Sequence, residues 1–205
     1  ICQADAEMIG ANANNHLGWS TMSLGDINND GCPESVISEP EIALDGRNRQ
    51  GAVHILYGWG GSRCFTEPHI LSLTVTNGDA RFGTSLTTTD ADQDGRSDLI
   101  VGGFNAAYNG TRPGAVWVIR ASELDALSPQ RLEQSRVYHY IDSMVGEQGD
   151  WWLAGSLHQS QFSLSISASG PYLFVSAPRV RDRAERRGQG YLYSLSPQGI
   201  SDLVG

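Results

Sequence analysis

The chain has 205 residues, a formal net charge of -9, 40% hydrophobic residues and 8% aromatic ones. This length is enough for a sizeable core, and no apolar run approaches the ~18 residues of a membrane-spanning helix, which argues against direct helical insertion into a bilayer. All 14 basic residues are Arg, and the acidic balance argues against nucleic acid as a partner, because phosphate binding needs clustered cations.

Residues 1–16, with Glu7-Met8-Ile9-Gly10, read as the outer strand of a β unit preceding the first complete one. Leu17-Gly18-Trp19-Ser20 then opens a strand that runs into Asp26-Ile27-Asn28-Asn29-Asp30-Gly31-Cys32-Pro33-Glu34. This nonapeptide has the layout of a calcium loop. Ca²⁺ is a hard cation that takes about six to eight oxygens at about 2.3–2.6 Å. Side-chain oxygens at the first, third and fifth positions, a main-chain carbonyl at the seventh and a closing carboxylate at the ninth supply them, and Gly at the sixth lets the backbone turn without a Cβ clash. The expected ligands are Asp26, Asn28, Asp30, the Cys32 carbonyl and Glu34. An EF-hand needs an acid at its twelfth position and a helix on each side. Here the twelfth residue is Ile37, and Ser35-Val36-Ile37-Ser38 is of strand type, so the loop sits in a hairpin. Ser38-Glu39-Pro40, a variable loop over 41–50, the strand Gly51-Ala52-Val53-His54-Ile55-Leu56-Tyr57-Gly58 and a candidate outer strand at Ile70–Thr76 complete the unit.

The same order repeats. Phe82-Gly83-Thr84-Ser85-Leu86 leads into Asp90-Ala91-Asp92-Gln93-Asp94-Gly95-Arg96-Ser97-Asp98, whose expected ligands are Asp90, Asp92, Asp94, the Arg96 carbonyl and Asp98. Its twelfth position is Val101. Gly102-Gly103-Phe104, the strand Gly114–Ile119 and a candidate outer strand at Val137-Tyr138-His139-Tyr140-Ile141 follow. Asp, Asn and Gly also dominate ordinary turns, but two copies with the same ligand types, the same Gly and the same apolar exit favour the metal. In a third copy, Phe162-Ser163-Leu164-Ser165-Ile166 leads through Ser167-Ala168-Ser169-Gly170-Pro171-Tyr172 to Ser176-Ala177-Pro178 and the strand Gly188–Leu195. That loop has no carboxylate and is expected to bind no metal. Gly18 to Gly83 spans 65 residues and Gly83 to Ser163 spans 80, so an insertion separates the later copies.

Four antiparallel strands per repeat of this length make a propeller blade. The pattern resembles the FG-GAP repeat of the integrin α-subunit β-propeller, named for a Phe-Gly near its start and a Gly-Ala-Pro after the calcium loop. Leu17-Gly18 replaces Phe-Gly in the first copy and Ser163 replaces Gly in the third. Gly-Ala-Pro appears as Ser38-Glu39-Pro40, Gly102-Gly103-Phe104 and Ser176-Ala177-Pro178. The expected fold is all-β, one propeller segment over 1–205 with three complete four-stranded blades at about 17–80, 81–160 and 161–205, with 1–16 from a preceding blade. Rings have about four to eight blades, so the segment belongs to a larger ring or closes one with other chains.

The resemblance implies a calcium-stabilised, non-catalytic propeller of a secreted or surface protein, with two Ca²⁺ sites, acting in cell adhesion or protein recognition. Its partners would be a protein ligand or other propeller chains, in an oligomer that completes the ring. FG-GAP-type repeats also occur beside a catalytic domain, so an accessory region of a secreted phospholipase D-like hydrolase is the rival, and a glycan-binding module is a third reading. Calcium loops of modest affinity suit millimolar calcium, hence an extracellular, cell-surface or periplasmic setting. Three Cys allow at most one internal disulfide. Cys32–Cys64 with Cys2 left over is the expected pair, and isolated reduced thiols are the alternative. Asn109-Gly110-Thr111 is a glycosylation sequon. Residues 179–187 carry five Arg in nine positions, on a loop that is either a binding surface or a solvated tip. His16, His54, His69, His139 and His158 lack metal-ligand spacing. Trp19, Trp151 and Trp152 either stack on a sugar or fill the inter-blade core.

Overall fold

The computed structural model of the protein describes residues 7–10, 12–58, 64, 69–127, 138–141, 151–182 and 185–202. Of the sequence expectations, Cys2, Val137 and Arg183 lie outside the described residues. Residues 7–10 and 12–16 lie outside any strand.

The chain forms all-β propeller blades. β1 (Thr21–Gly25), β2 (Glu34–Glu39), β3 (Ala52–Tyr57) and β4 (His69–Thr74) make the first antiparallel meander. β5 (Ser85–Thr89), β6 (Asp98–Gly103) and β7 (Ala115–Ile119) begin the second. A short helix, α1 (Ala121–Ala126), follows, then β8 (Tyr138–Tyr140) and β9 (Trp152–Ala154). The third sheet contains β10 (Ile166–Ser169) and β11 (Tyr172–Ala177). A small ribbon of β12 (Arg181–Asp182) and β13 (Glu185–Arg186) interrupts it before β14 (Gln189–Ser196) and β15 (Gly199–Asp202) close it.

One strand assignment differs from the sequence expectation. Residues 138–140 do not form the outer strand of the second blade. They pair in parallel with β4 of the first sheet, Ser72 opposite Tyr138, and β9 takes the outer place, Ala115 opposite Ala154. The repeat spacing accounts for this: β4 ends eight residues before Phe82, and β9 ends eight residues before Phe162. The insertion of the second repeat therefore precedes its outer strand.

The two halves of the repeated motif are hydrogen-bonded to each other. The N–H groups of Gly18, Gly83 and Ser163 donate to the carbonyls of Ser38, Gly102 and Ser176 at 2.9, 3.1 and 2.9 Å. Each donor residue has left-handed backbone, with φ of 90°, 93° and 69°. Gly adopts that conformation at little cost. Ser163 does so with its hydroxyl donating to the Ala115 carbonyl at 2.7 Å, a fully buried bond that ties the third sheet to the second.

Successive sheets stack face to face through one recurring junction. Phe82 N–H donates to the Gln50 carbonyl at 3.0 Å, and Phe162 N–H to the Pro113 carbonyl at 2.8 Å. Gly51 and Gly114 sit beneath these contacts, and a Cβ at either would overlap the Phe backbone. Val36 opposite Ile55 in the first sheet and Ile100 opposite Val118 in the second are at most 1% exposed. Each such buried side chain contributes roughly 1.5–3 kcal/mol. The corresponding pair in the third sheet, Phe174 opposite Leu192, is 51% and 47% exposed. The last sheet thus ends in an uncovered apolar face.

Candidate metal centre

Both acidic hairpin loops lie between the first and second strands of their sheets, and both wrap in the same way. The fourth and sixth residues are left-handed in each: Asn29 and Gly31 at φ 57° and 89°, Gln93 and Gly95 at φ 62° and 91°. That conformation turns main-chain N–H groups inward onto the carboxylates. In the first loop, Asp26 accepts from the N–H groups of Asp30 and Gly31 at 3.1 and 3.0 Å, Asp30 from Cys32 N–H at 2.8 Å, and Glu34 from Ile27 N–H at 2.8 Å. In the second, Asp90 accepts from Gly95 N–H at 3.0 Å, Asp92 from Asp94 N–H at 3.2 Å, and Asp98 from the N–H groups of Ala91 and Asp92 at 2.7 and 3.3 Å.

The loops differ in convergence. One carboxylate oxygen each from Asp90, Asp92 and Asp98 lies within 4.8 Å of the others. Among the described residues, no other group of three or more His, Cys, Asp or Glu gathers this closely. Two oxygens on opposite sides of a Ca²⁺ ion stand about 5 Å apart, so the three fit one coordination shell. Asp94 is outside this group because the Arg96 guanidinium holds it, with Nη2 2.9 Å and Nε 3.1 Å from Oδ2. In the first loop, Asn28 brings an amide instead of a third Asp, and its Nδ2 donates to Asp30 at 3.2 Å.

The closing carboxylates are the buried members. Glu34 and Asp98 have no solvent exposure. Burial pushes the Glu34 carboxyl up to about 7, against the Ile27 N–H and aided by the charges of Asp30 and Asp26. Burial likewise pushes Asp98 up to about 6, against hydrogen bonds from Ala121 and Ala91. Among the described residues, Glu34 Oε1 and Asp90 Oδ1 are buried without a hydrogen-bond partner. A buried acceptor left unpaired costs about 1–3 kcal/mol, more when charged. Of the two, Asp90 belongs to the cluster whose carboxylates could share a cation. The donor set is hard oxygen throughout, as Ca²⁺ or Mg²⁺ requires.

Two relationships escaped the sequence reading. Asp98 Oδ1 accepts from Ala121 N–H at 2.8 Å, so the loop carboxylate also holds the start of α1. Arg96 Nη1 donates to the Ile27 carbonyl at 3.3 Å and joins the two loops. Neither partner is near in sequence: the pairing of β6 with β7 brings Ala121 to Asp98, and the stacking of the first two sheets brings Ile27 to Arg96.

Cys32 is disulfide-bonded to Cys64, at a Cα–Cα distance of 5.3 Å. The third hairpin closes through Gly170 and Pro171, with Ser169 opposite Tyr172. Glu39, His54 and Ser72 hydrogen-bond in a row, His54 Nε2 to Glu39 Oε2 at 3.1 Å and His54 Nδ1 to Ser72 Oγ at 2.8 Å. This is the order of a hydrolytic triad, but all three are 0% exposed, and no substrate reaches them. Trp151 is buried beneath the Arg120 guanidinium and Trp152 packs edge-on against Tyr108, while Trp19 is 57% exposed. Asn109 sits at an exposed turn with φ 48°.

Residues 82–119 match the family model of the FG-GAP repeat. The phosphatidylinositol-glycan-specific phospholipase D of Rattus norvegicus is 24% identical over 193 residues, covering 87% of this chain and 21% of that protein. That of Mus musculus is also 24% identical, over 190 residues. Integrin alpha-PS5 of Drosophila melanogaster is 35% identical over 109 residues, covering 53% of this chain and 10% of that protein. The chain thus spans about a fifth of the length of the phospholipase D relatives it matches.

Proposed function

From an FG-GAP repeat protein that resembles the integrin α-subunit propeller, we propose a calcium-stabilised, non-catalytic propeller portion of a secreted or surface protein, used in adhesion or protein recognition. The observation that carries this reading is the convergence of one carboxylate oxygen each from Asp90, Asp92 and Asp98, together with a buried, unpartnered oxygen on Asp90. Asp90, Asp92 and Asp98 would hold the ion in the second loop, with Asp94 and the Arg96 carbonyl joining them. Asp26, Asn28, Asp30, the Cys32 carbonyl and Glu34 would hold one in the first. The ion supplies positive charge that offsets the mutual repulsion of the carboxylates, and its binding free energy becomes folding free energy.

The Cys32–Cys64 disulfide supports an oxidising, extracellular or periplasmic setting, where calcium is also abundant. The uncovered pair of Phe174 and Leu192 supports a role within a larger ring, completed by further blades or by other chains. The rival reading, an accessory region of a phospholipase D-like enzyme, draws on the named relatives. It places the chemistry outside these residues.

Calcium titration by calorimetry, with melting in millimolar calcium and in excess chelator, tests the proposal. At a hundredfold excess over Kd, a bound ion adds about 2.7 kcal/mol. The expected result is a higher Tm with calcium, with the second loop's share of that gain lost in Asp90→Ala and the first loop's share kept. Identical melting with and without calcium would sink the reading.

A further inference from the structure

The 2–3 loops of the three sheets meet at the end of the molecule away from the calcium-type hairpins, and this end is rich in Arg. Between the first two sheets, a cleft is lined by Arg47, Arg49, Asp79 and Arg112. Its cations are largely matched within the protein: Arg112 pairs with Asp79 at 3.0 Å, Arg49 with Glu41 at 3.3 Å, and Arg47 lies over the Tyr140 ring.

The equivalent cleft beside the third sheet is different. It has a volume of about 330 Å³ and is lined by Arg179, Arg181 and Arg186 together with His158. Among the described residues, no ion pair neutralises any of these three guanidinium groups. Arg187, next in sequence, pairs instead with Glu185 at 2.9 Å. Arg181 and Arg186 stand directly opposite each other in the β12–β13 ribbon. Like charges in that relation destabilise a strand pair unless something negative lies between them.

The frame around these cations is fixed. Arg179 N–H donates to the Ser160 carbonyl at 3.0 Å, and Gln159 N–H to the Arg112 carbonyl at 3.0 Å. The N–H groups of Arg187 and Gly188 both donate to the Val180 carbonyl, at 3.1 and 3.2 Å. His158 Nδ1 accepts from Arg112 N–H at 3.0 Å, which leaves Nε2–H as a donor. The lining therefore offers guanidinium forks and one imidazole N–H, with Gln159 contributing the lining's sole side-chain acceptor, its amide oxygen. Val180 adds a buried apolar surface and Leu157, 44% exposed, an apolar rim.

We propose that this cleft binds an acidic peptide segment of a partner protein, seating a carboxylate side chain between Arg181 and Arg186 with an apolar neighbour against Leu157 and Val180. The guanidinium fork matches a carboxylate bidentately. A sulfated glycan would match the charge, but it leaves the Leu157 rim and Val180 without a partner, and a single compact cleft suits one side chain better than a long anionic chain. The site goes beyond the calcium reading and does not depend on it.

The test is fluorescence anisotropy with a short labelled peptide that has a Leu-Glu-Glu-Leu centre in a Gly-Ser frame, against its Leu-Gln-Gln-Leu counterpart and a heparin-derived oligosaccharide. The expected result is binding of the Glu peptide by the intact protein, weakened about tenfold or more in the Arg181→Gln/Arg186→Gln double variant and in the Gln peptide. Arg187→Gln, which lies outside the cleft lining, keeps full affinity. Circular dichroism checks that the variants fold. Absence of peptide binding, an equal loss in Arg187→Gln, or tighter binding of the oligosaccharide than of the peptide would each overturn the proposal. Melting with and without calcium on the same samples separates the two ideas. Calcium stabilisation without peptide binding defeats the cleft alone, and peptide binding without calcium stabilisation defeats the metal reading alone.

Discussion

Arg96 reaches from the second acidic loop to the main chain of the first, its Nη1 3.3 Å from the Ile27 carbonyl, while its Nε and Nη2 hold Asp94. One side chain thus restrains both loops and occupies a carboxylate that a cation would use. In Arg96→Ala the main-chain carbonyl remains, Asp94 is released and a nearby positive charge disappears. The expected outcome is calcium affinity of the second loop raised several-fold, with stability in chelator lowered by about 1 kcal/mol. Calorimetric titration and chemical denaturation check the two halves; weaker calcium binding in the variant would count against a competing role for Arg96.

Asp98 and Asp90 should separate structural from metal-dependent effects. Asp98 accepts from the N–H groups of Ala91, Asp92 and Ala121, and Asp98, Ala91 and Ala121 have no exposure. Asp98→Ala strands those donors and loosens α1, so a loss of about 2–4 kcal/mol is expected even in chelator. Asp90→Ala leaves most of that network in place and should lower the Tm chiefly when calcium is present. Denaturant melts of both variants with and without calcium give the comparison.

The metal-free protein should respond to pH in the direction opposite to the calcium-bound one. Glu34 and Asp98 are raised by burial to about 7 and about 6, above the ordinary carboxylate range. Their neutral forms are favoured in the fold, so metal-free stability rises as pH falls from 8 through these values towards 5. The gain is on the order of a few kcal/mol. With calcium bound, both carboxylates are ionised, and the same fall in pH weakens binding and lowers the Tm. A pair of Tm–pH curves with parallel slopes would refute this.

The Cys32–Cys64 bridge closes a sequence separation of 32 residues. By loop entropy it contributes about 3–4 kcal/mol. Cys64→Ala is expected to cost close to that amount. Because the Cys32 carbonyl is one of the proposed ligands, the first loop should also lose calcium affinity while the second keeps it. Titration of the variant checks this through the number of sites affected.

The repeat was legible because its chemistry is local. Gly31 and Gly95, the alternating acids and the apolar exits at Val36 and Ile100 each follow from what one hairpin needs. The departure at Ser163 was visible as well, but its tolerance was not, because the Ala115 carbonyl that receives its hydroxyl lies 48 residues away. Long-range placement explains the other surprises. Residues 138–140 have strand character, but nothing in them indicates pairing with β4 of the previous repeat. Asp94 differs in that its partner is local: it reads as a ligand equal to Asp92 until Arg96, two residues on, folds back on it. The cleft of Arg179, Arg181 and Arg186 required His158 from a different loop, and a list of charges along the chain does not reveal which arginines lack a carboxylate.

The parallel pairing of β8 with β4 has a mechanical consequence. Blades in a simple array touch only their neighbours through side-chain faces and can separate one at a time. Here a segment from within the second repeat is stitched by backbone hydrogen bonds to the edge of the first, next to the outer strand of a sheet already cross-linked at Cys32. Parting β8 from the first sheet therefore means breaking main-chain hydrogen bonds along β4, and not side-chain contacts alone. Within the described residues the third sheet has no such strand partner in the second: it is fastened by the Phe162 junction and by hydroxyl bonds such as Ser163 to Ala115, Ser85 to Ser163 and Thr89 to Gly170.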